Sequence, residues 1–322
     1  MGAHQESGAS DIETTNAPAW RAADAGPESS WRFRLPDRAA AALLELSREL
    51  AAGPKPLVNT QLSDGDRAAW FADFAPVADA LENGRGFAIV HAGPDEAPRL
   101  EIQRALYWAV GQILGEPVTQ NVAGERLYDV RDTGQSVSQG ARFSVTNYES
   151  TFHTDASFED DVVDYVGLLC LQTAKSGGLS QLVNGHSAAA ELARTDPAAI
   201  QVLMQPFHVD RRGGVRPGET PTVQRPVVAR RGEEILYRYL RTWIEAGHDK
   251  ASVPLTLEQV KALDALDETL ARRVLRVEFM LRPGDMLFVN NRWILHNRTA
   301  FEDYTEPALR RHYVRLWLRR RS

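Results

Sequence analysis

Through the first third of the chain, the large apolar residues recur at helical spacing. In "PDRAAAALLELSREL", which starts at Pro36, Leu43, Leu44, Leu46 and Leu50 cluster on one side of a 3.6-residue period, and Gly53-Pro54 is the stop signal. The pattern predicts a second helix over roughly 66–82, ending near Asn83-Gly84. It predicts a third in "APRLEIQRALYWAVGQILG", where Leu100, Ile102, Leu106, Val110, Ile113 and Leu114 lead to Gly115. Between them "GFAIVHAG" (86–93) reads as a buried strand bounded by glycines.

After residue 120 the runs shorten and take on strand character: "RLYDVRD", "VDYVGLLCLQTA", "SQLVNG", "TVQRPVVARR" and "EEILYRYL". Two helical stretches interrupt them, 186–204 and 256–275, and strands return in "RVEFMLRPGDMLFVNNRWILH" and "RRHYVRLWLR". Helices first and short strands with Gly/Pro turns afterwards predict an α+β chain. Its core would be a jelly roll, or double-stranded β-helix, with flanking and inserted helices. The expected division is a single domain over 31–322, helical over 31–120 and β-rich over 121–322. Residues 1–30, rich in Gly, Ala, Ser, Glu and Pro, are expected to be a disordered or loosely attached tail.

Composition narrows the classes. With 43% hydrophobic and 25% charged residues among 322, the chain is ordinary globular material with enough length for a large core. A formal charge of −6 without a long basic run argues against a nucleic-acid partner. No apolar stretch approaches the ~18 residues of a membrane span, and the N-terminus lacks the basic head and apolar core of a secretory signal. The single cysteine, Cys170, sits in an apolar run and reads as a small buried hydrophobe. That usage fits a reducing, cytoplasmic compartment.

"FHTDASFED" (152–160) carries the first candidate chemistry. On an extended strand His153 and Asp155 share a face, and an imidazole and a carboxylate so placed can chelate one divalent ion. The bland alternative is two polar residues on a solvated strand. Among the other histidines, His4 lies in the tail, and His91, His208 and His248 have no acidic residue at useful spacing. His186 starts a helix, and His312 belongs to a terminal strand. His296 remains, at the end of an apolar strand entered from the Pro283-Gly284-Asp285 turn. Two histidines and one carboxylate with open positions form the facial arrangement of non-haem Fe(II) oxygenases.

Four segments, "HTD" (153–155), "SGGLSQLVNG" (176–185), "NNRWILHNRTAF" (290–301) and "RRHYVRLWL" (310–318), carry a family resemblance over roughly 85–320. In combination they resemble the taurine dioxygenase and clavaminate synthase-like group of Fe(II)- and 2-oxoglutarate-dependent oxygenases. The resemblance implies His153, Asp155 and His296 as iron ligands. It implies a late arginine on the distal carboxylate of 2-oxoglutarate, where a planar guanidinium binds bidentately. Arg315 fits that position in the register of the strand and Arg311 the companion. The segment after His296 is a few residues longer than expected, and if the insertion falls within the strand the cosubstrate arginine is Arg311. Ser180 corresponds to the hydroxyl residue that helps hold 2-oxoglutarate, the alternative being a plain turn serine.

Strand periodicity gives separate support. Arg311, Tyr313, Arg315 and Trp317 share one face, and two inward arginines would be costly without an anion. The alternative is a solvent-facing basic strand. If "TNYESTFHTD" stays extended, Asn147, Glu149 and Thr151 share the parity of His153 and could line the substrate pocket. Glu149 would then receive a substrate ammonium, unless it simply faces water. Arg238 and Arg241 are candidates for a substrate carboxylate or for surface ion pairs. Glu159, Asp160 and Asp161 read as a solvated lid.

The implied activity is hydroxylation of an unactivated C–H bond in a small polar substrate, an amino acid or amine-bearing biosynthetic intermediate. Fe(II), 2-oxoglutarate and O₂ would be consumed or held, with release of succinate and CO₂. Asp155 argues against halogenation, because related halogenases have a small residue there. Desaturation or cyclisation on the same fold stays open, as does a non-oxidative metal-dependent jelly-roll protein such as an isomerase or sensor. Relatives of this kind often form dimers or tetramers, so a homo-oligomer is possible.

Overall fold

The computed structural model describes residues 19–91, 98–135, 143–212, 215, 218–232 and 234–321. In chain order the strands of the first half are β1 (Arg32–Arg34), β2 (Phe87–His91), β3 (Glu116–Val118), β4 (Leu127–Val130), β5 (Tyr165–Gln172), β6 (Ser176–Gly177) and β7 (Ser180–Asn184). Then come β8 (Pro206–Asp210), β9 (Thr222–Pro226), β10 (Val228–Arg231) and β11 (Glu234–Tyr237). The last group is β12 (Arg276–Phe279), β13 (Met286–Asn290), β14 (Ile294–Arg298), β15 (Phe301–Glu302) and β16 (His312–Arg319).

Two sheets make the core. The large one runs β1-β2-β13-β5-β16-β3, with β4 also paired to β16, and the small one runs β12-β7-β14. Their inner faces interlock through Phe87, Val166, Leu287 and Tyr313 from the large sheet and Leu182, Val277, Phe279 and Ile294 from the small. Burying a side chain the size of Phe87 contributes on the order of 2–3 kcal/mol. β5 is hydrophobic almost throughout, as a strand covered on both faces must be. Cys170 lies fully buried in it.

The outer face of the large sheet is covered by the early helices α1 (Asp37–Ala52), α2 (Asp64–Ala69), α3 (Phe71–Glu82) and α4 (Leu100–Leu114). Leu43, Phe74, Leu81 and Trp108 pack there against Phe288 and Leu316. The helix expected over 66–82 is two, separated at Trp70, with a Ser63–Asp66 capping box starting the first.

A second apolar cluster holds the inserted helices α5 (Gly185–Thr195), α6 (Pro197–Leu203), α7 (Arg241–Ala251) and α8 (Leu257–Leu270) with β8 to β11. The stretch expected as one helix over 186–204 breaks at Asp196, whose side chain caps Ala199 N–H while Pro197 opens α6. Helix α7 was not expected. Leu240 offers no side-chain cap and "RTWIEAGHDKA" has only two large apolar residues, Trp243 and Ile244, so tertiary packing of Ile244 decides it.

Residues 1–18 of the expected tail lie outside the described residues, but attachment to the body begins well before residue 31. Trp20 is buried, its indole donates to the Arg85 carbonyl at 2.8 Å, and its ring meets Phe87 edge-on at 5.7 Å. Among the described residues no helix is long and apolar enough to cross a membrane.

Candidate metal and cosubstrate site

An isolated antiparallel bridge holds His153 opposite His296 in β14. His153 N–H donates to the His296 carbonyl at 3.0 Å, and His296 N–H returns the bond at 2.9 Å. The rings lie 4.3 Å apart, tilted by 49°. The strand expected through "STFHTDAS" does not form. Extended pairing stops at His153, and Asp155 enters a turn in which Ala156 takes φ 56°. Asp155 therefore reaches His153 through the turn and not through the pleat. Asn291 clamps that turn, accepting from Asp155 N–H at 2.8 Å and donating to the Asp155 and Val163 carbonyls at 3.0 and 3.1 Å. Thr154 faces away, its hydroxyl on the Tyr237 carbonyl at 3.0 Å.

One donor atom from each of His153, Asp155 and His296 falls within 4.8 Å of the others. His153 Nδ1–H donates to the Thr151 carbonyl at 2.7 Å, which leaves Nε2 with its lone pair, 3.7 Å from Asp155 Oδ1. Burial lowers the His153 pKa, and burial with the neighbouring His153 ring brings His296 down to about 3. Burial alone would raise Asp155, but the Arg315 guanidinium, the two imidazoles and the Trp317 hydrogen bond hold it below the ordinary carboxylate value. Two neutral imidazoles and one carboxylate are the donor set a divalent iron takes, with one face left for other ligands. The residues present fit that metal.

These groups open into a cavity of about 440 Å³. Apolar walls come from Val166, Leu168, Leu287 and Val289 on the large sheet and Leu182 on the small one. Five arginines line it, Arg211, Arg212, Arg298, Arg311 and Arg315, against the single carboxylate of Asp155 among the described residues.

Taurine catabolism dioxygenase, the TauD/TfdA family, matches residues 55–317. The chain belongs to that family. Its activity is that of an Fe(II)- and 2-oxoglutarate-dependent dioxygenase using O₂. FR-33289 synthase of Streptomyces rubellomurinus is 27% identical over 317 residues, covering 94% of this chain and 89% of the synthase. Uridine-5'-phosphate dioxygenase of an Amycolatopsis species is 30% identical over 76% of this chain and 90% of its own length. Among solved structures, asparagine oxygenase with Fe(II), 3-hydroxyasparagine and succinate superposes with a TM-score of 0.67 at 20% identity, covering 89% and 93% of the two chains. The non-haem iron oxygenase OrfP, solved with Fe, succinate and (3S)-hydroxy-L-Arg, gives 0.62 at 17% identity, covering 89% and 94%.

In this dioxygenase the two late arginines differ sharply. Arg315 is already engaged, 3.2 Å from Asp155 Oδ2 and donating from Nε to Gln120 at 2.7 Å. Arg311 is buried, lies 3.8 Å over the Tyr313 ring and 5.1 Å from the Phe301 ring, and its Nε has no hydrogen-bond partner. Burial lowers its pKa. Ser180, at the start of β7, lines the same cavity. The Gly177-Gly178 turn comes close enough that a Cβ on Gly178 would sit 3.6 Å from Arg311 Nε.

The three substrate candidates are not brought into the cavity. Asn147 and Glu149 are exposed, because the segment before His153 bends and the parity argument lapses; Ser150 lines the cavity in their place. Arg238 donates to the Glu159 and Asp160 carbonyls at 3.3 and 2.7 Å and holds that loop. Arg241 pairs with Glu245, Asp264 and Asp267. Arg298 was missed although it shares the β14 period with His296; burial and the nearby Arg311 lower its pKa to about 9. Gln120, Asn291, Trp243, Arg211 and Arg212 carry no short-range signal.

Proposed function

We propose that His153, Asp155 and His296 hold the iron, and that Arg311 with Ser180 grips the distal carboxylate of 2-oxoglutarate. The supporting fold reading is one double-stranded β-helix unit, with the His–Asp–His cluster between its two sheets. One observation carries the cosubstrate assignment: a buried guanidinium without an ion-pair partner among the described residues opens into the cavity that holds the His–Asp–His cluster. Leaving that charge buried and unpaired is unfavourable by several kcal/mol, and a bidentate carboxylate removes the penalty. The roles expected for the two arginines are thereby exchanged.

When bound, iron and 2-oxoglutarate would let O₂, the oxidant, hydroxylate an unactivated C–H bond, one oxygen atom entering the substrate and the other the succinate that is released with CO₂. The chain's own residues position and shield. Arg315 and Trp317 fix the Asp155 carboxylate, the latter by an indole hydrogen bond of 2.7 Å. The Thr151 carbonyl sets the His153 tautomer. The apolar walls keep bulk water from the reacting carbon. Buried Cys170 fits a reducing cytoplasm.

A substrate of amino-acid-like size and polarity suits the volume. The structural neighbours named above carry hydroxylated asparagine and arginine, and one relative is named for uridine-5'-phosphate. The test is succinate release from 2-oxoglutarate over a panel of free amino acids and nucleotides. Substrate-stimulated release in the parent, with a raised KM for 2-oxoglutarate in Arg311→Gln, is the expected result. An unchanged KM in that variant would remove Arg311 from the cosubstrate site.

A further inference from the structure

β14 and β7 pair in a register that sets Arg298 directly opposite Ser180 and His296 directly opposite Leu182. Opposed residues of an antiparallel pair share a face, as do residues two apart on one strand. Arg298, Ser180 and His296 therefore project from the same face of the small sheet, and all three line the cavity. Two residues of strand span about 6.6 Å. Arg298 thus stands one short step along the wall from a proposed iron ligand, beside the hydroxyl assigned to 2-oxoglutarate.

Its guanidinium is held in place but not satisfied. Nη2 donates to the Tyr148 carbonyl and to the Phe143 carbonyl, the latter at 3.4 Å, which fixes the fork against the segment before His153. Nη1 is buried with no hydrogen-bond partner. Asp132 and Glu149 attract the group, but neither forms an ion pair with it, and Glu149 accepts instead from Asn297 Nδ2 at 3.3 Å. Arg311 repeats the pattern at the entry to β16, with its own buried Nε unpartnered. The two guanidiniums lie over one ring, Phe301, at 4.6 and 5.1 Å from its centroid, and they repel each other. Two buried like charges beside one apolar ring, each with an N–H left over, are unfavourable unless an anion is shared between them.

We infer that Arg298 is a second guanidinium on the distal carboxylate of 2-oxoglutarate. With Arg311 and Ser180 it closes a clamp that selects a dicarboxylic 2-oxoacid over a monocarboxylic one. The inference rests on the cosubstrate assignment to Arg311 and extends it to the small sheet. A carboxylate offers two oxygens with about four lone-pair directions. It can therefore accept from Arg311 Nε, Arg298 Nη1 and the Ser180 hydroxyl together, and it brings the negative charge that the two arginines lack.

The test is anaerobic absorption titration of the Fe(II)-loaded protein with 2-oxoglutarate and, separately, with 2-oxopentanoate. The second compound offers the same 2-oxoacid head to the metal but ends in a methyl group. The parent binds 2-oxoglutarate far more tightly. Arg298→Gln weakens 2-oxoglutarate roughly 10–100-fold, the scale of a lost hydrogen bond to a charged group. It leaves 2-oxopentanoate within about twofold of the parent, since the group it removes has no partner on that ligand. Arg298→Lys keeps the charge and most of the stem, and regains only part of the loss. A role confined to holding the Phe143 and Tyr148 carbonyls predicts an equal loss for both oxoacids, and that result would overturn the clamp. An unchanged 2-oxoglutarate affinity would overturn it too. If circular dichroism shows that Arg298→Gln does not fold, Arg298→Lys decides, because its preference for 2-oxoglutarate must fall below that of the parent. The same preference measured in Arg311→Gln separates the two assignments. A parental value there with a reduced value in Arg298→Gln would strike Arg311 from the cosubstrate site and leave Arg298 on it, and the reverse would strike Arg298 alone.

Discussion

The Trp317 indole donates to Asp155 Oδ2 across 2.7 Å, tying the last strand of the large sheet to the turn that follows His153. That bond orients a carboxylate which Arg315 also touches at 3.2 Å. Partners that orient a metal ligand typically change metal affinity about 10–100-fold when removed. Trp317→Phe keeps most of the buried ring and loses the donor, so Fe(II) affinity should fall by about tenfold or more. Anaerobic Fe(II) titration checks this, with near-parental circular dichroism showing that the fold survives. Undiminished affinity would mean that the indole is only packing.

The two late arginines should separate kinetically. Arg311→Gln raises KM for 2-oxoglutarate by roughly 10–100-fold, the scale of a lost charge-assisted bond in a buried site. Arg311→Lys rescues only part, since an ammonium cannot reproduce the planar fork. Arg315→Gln acts first on metal affinity, because it removes the cation beside Asp155. Steady-state kinetics at saturating iron, with varied 2-oxoglutarate, distinguish the two. The same KM effect in both variants would contradict the division of roles.

Gly177 has φ 72°, and a Cβ there would fall 2.2 Å from the Ala300 carbonyl oxygen. Gly177→Ala must displace β6 or its partner β15, at a cost of about 1–3 kcal/mol for the backbone conformation alone. A lowered melting temperature is expected, with a raised KM for 2-oxoglutarate because the turn lies against Arg311 and leads to Ser180. A variant as stable as the parent would show that the turn relaxes freely.

His186 is buried at the start of α5, edge-on to Trp293 at 5.3 Å, and burial lowers its pKa to about 4. Its unfolded value lies near 6.5. Below that value the unfolded chain takes up the proton first, so this group's contribution is fully present above pH ~6.5 and is lost as pH falls towards ~4. The part at stake is about 3 kcal/mol. Urea unfolding of parent and His186→Phe at pH 7.5 and pH 4.5 reads it as the difference between the two pH dependences. Parallel pH dependences would show that His186 stays neutral for another reason or ionises without consequence.

Much of this site was legible in the sequence. His153, Asp155 and His296 come together as the motif resemblance implies, and the face shared by Arg311, Tyr313, Arg315 and Trp317 survives a bulge between His312 and Tyr313. What failed was parity carried too far. "TNYESTFHTD" bends, so Asn147 and Glu149 are exposed and Glu149 only accepts from Asn297 Nδ2 at 3.3 Å, and the placement of Asp155 depends on Asn291, whose contacts are 136 residues away in sequence. His91 and His312 do meet carboxylates, Asp285 at 3.5 Å and Asp129 at 2.6 Å, but only through tertiary pairing that spacing cannot reveal. Which arginine is free for an anion likewise depends on Asp155 and Gln120 having taken Arg315. That is a fact of packing and not of period.

The most direct test of the central claim is an anaerobic absorption titration with Fe(II) followed by 2-oxoglutarate, in the parent, His296→Ala and Arg311→Gln. The account predicts a weak visible charge-transfer band in the parent and none in His296→Ala. In Arg311→Gln the band should appear only at much higher 2-oxoglutarate. A parent that stays colourless while folded, or a His296→Ala band of parental strength, would contradict it.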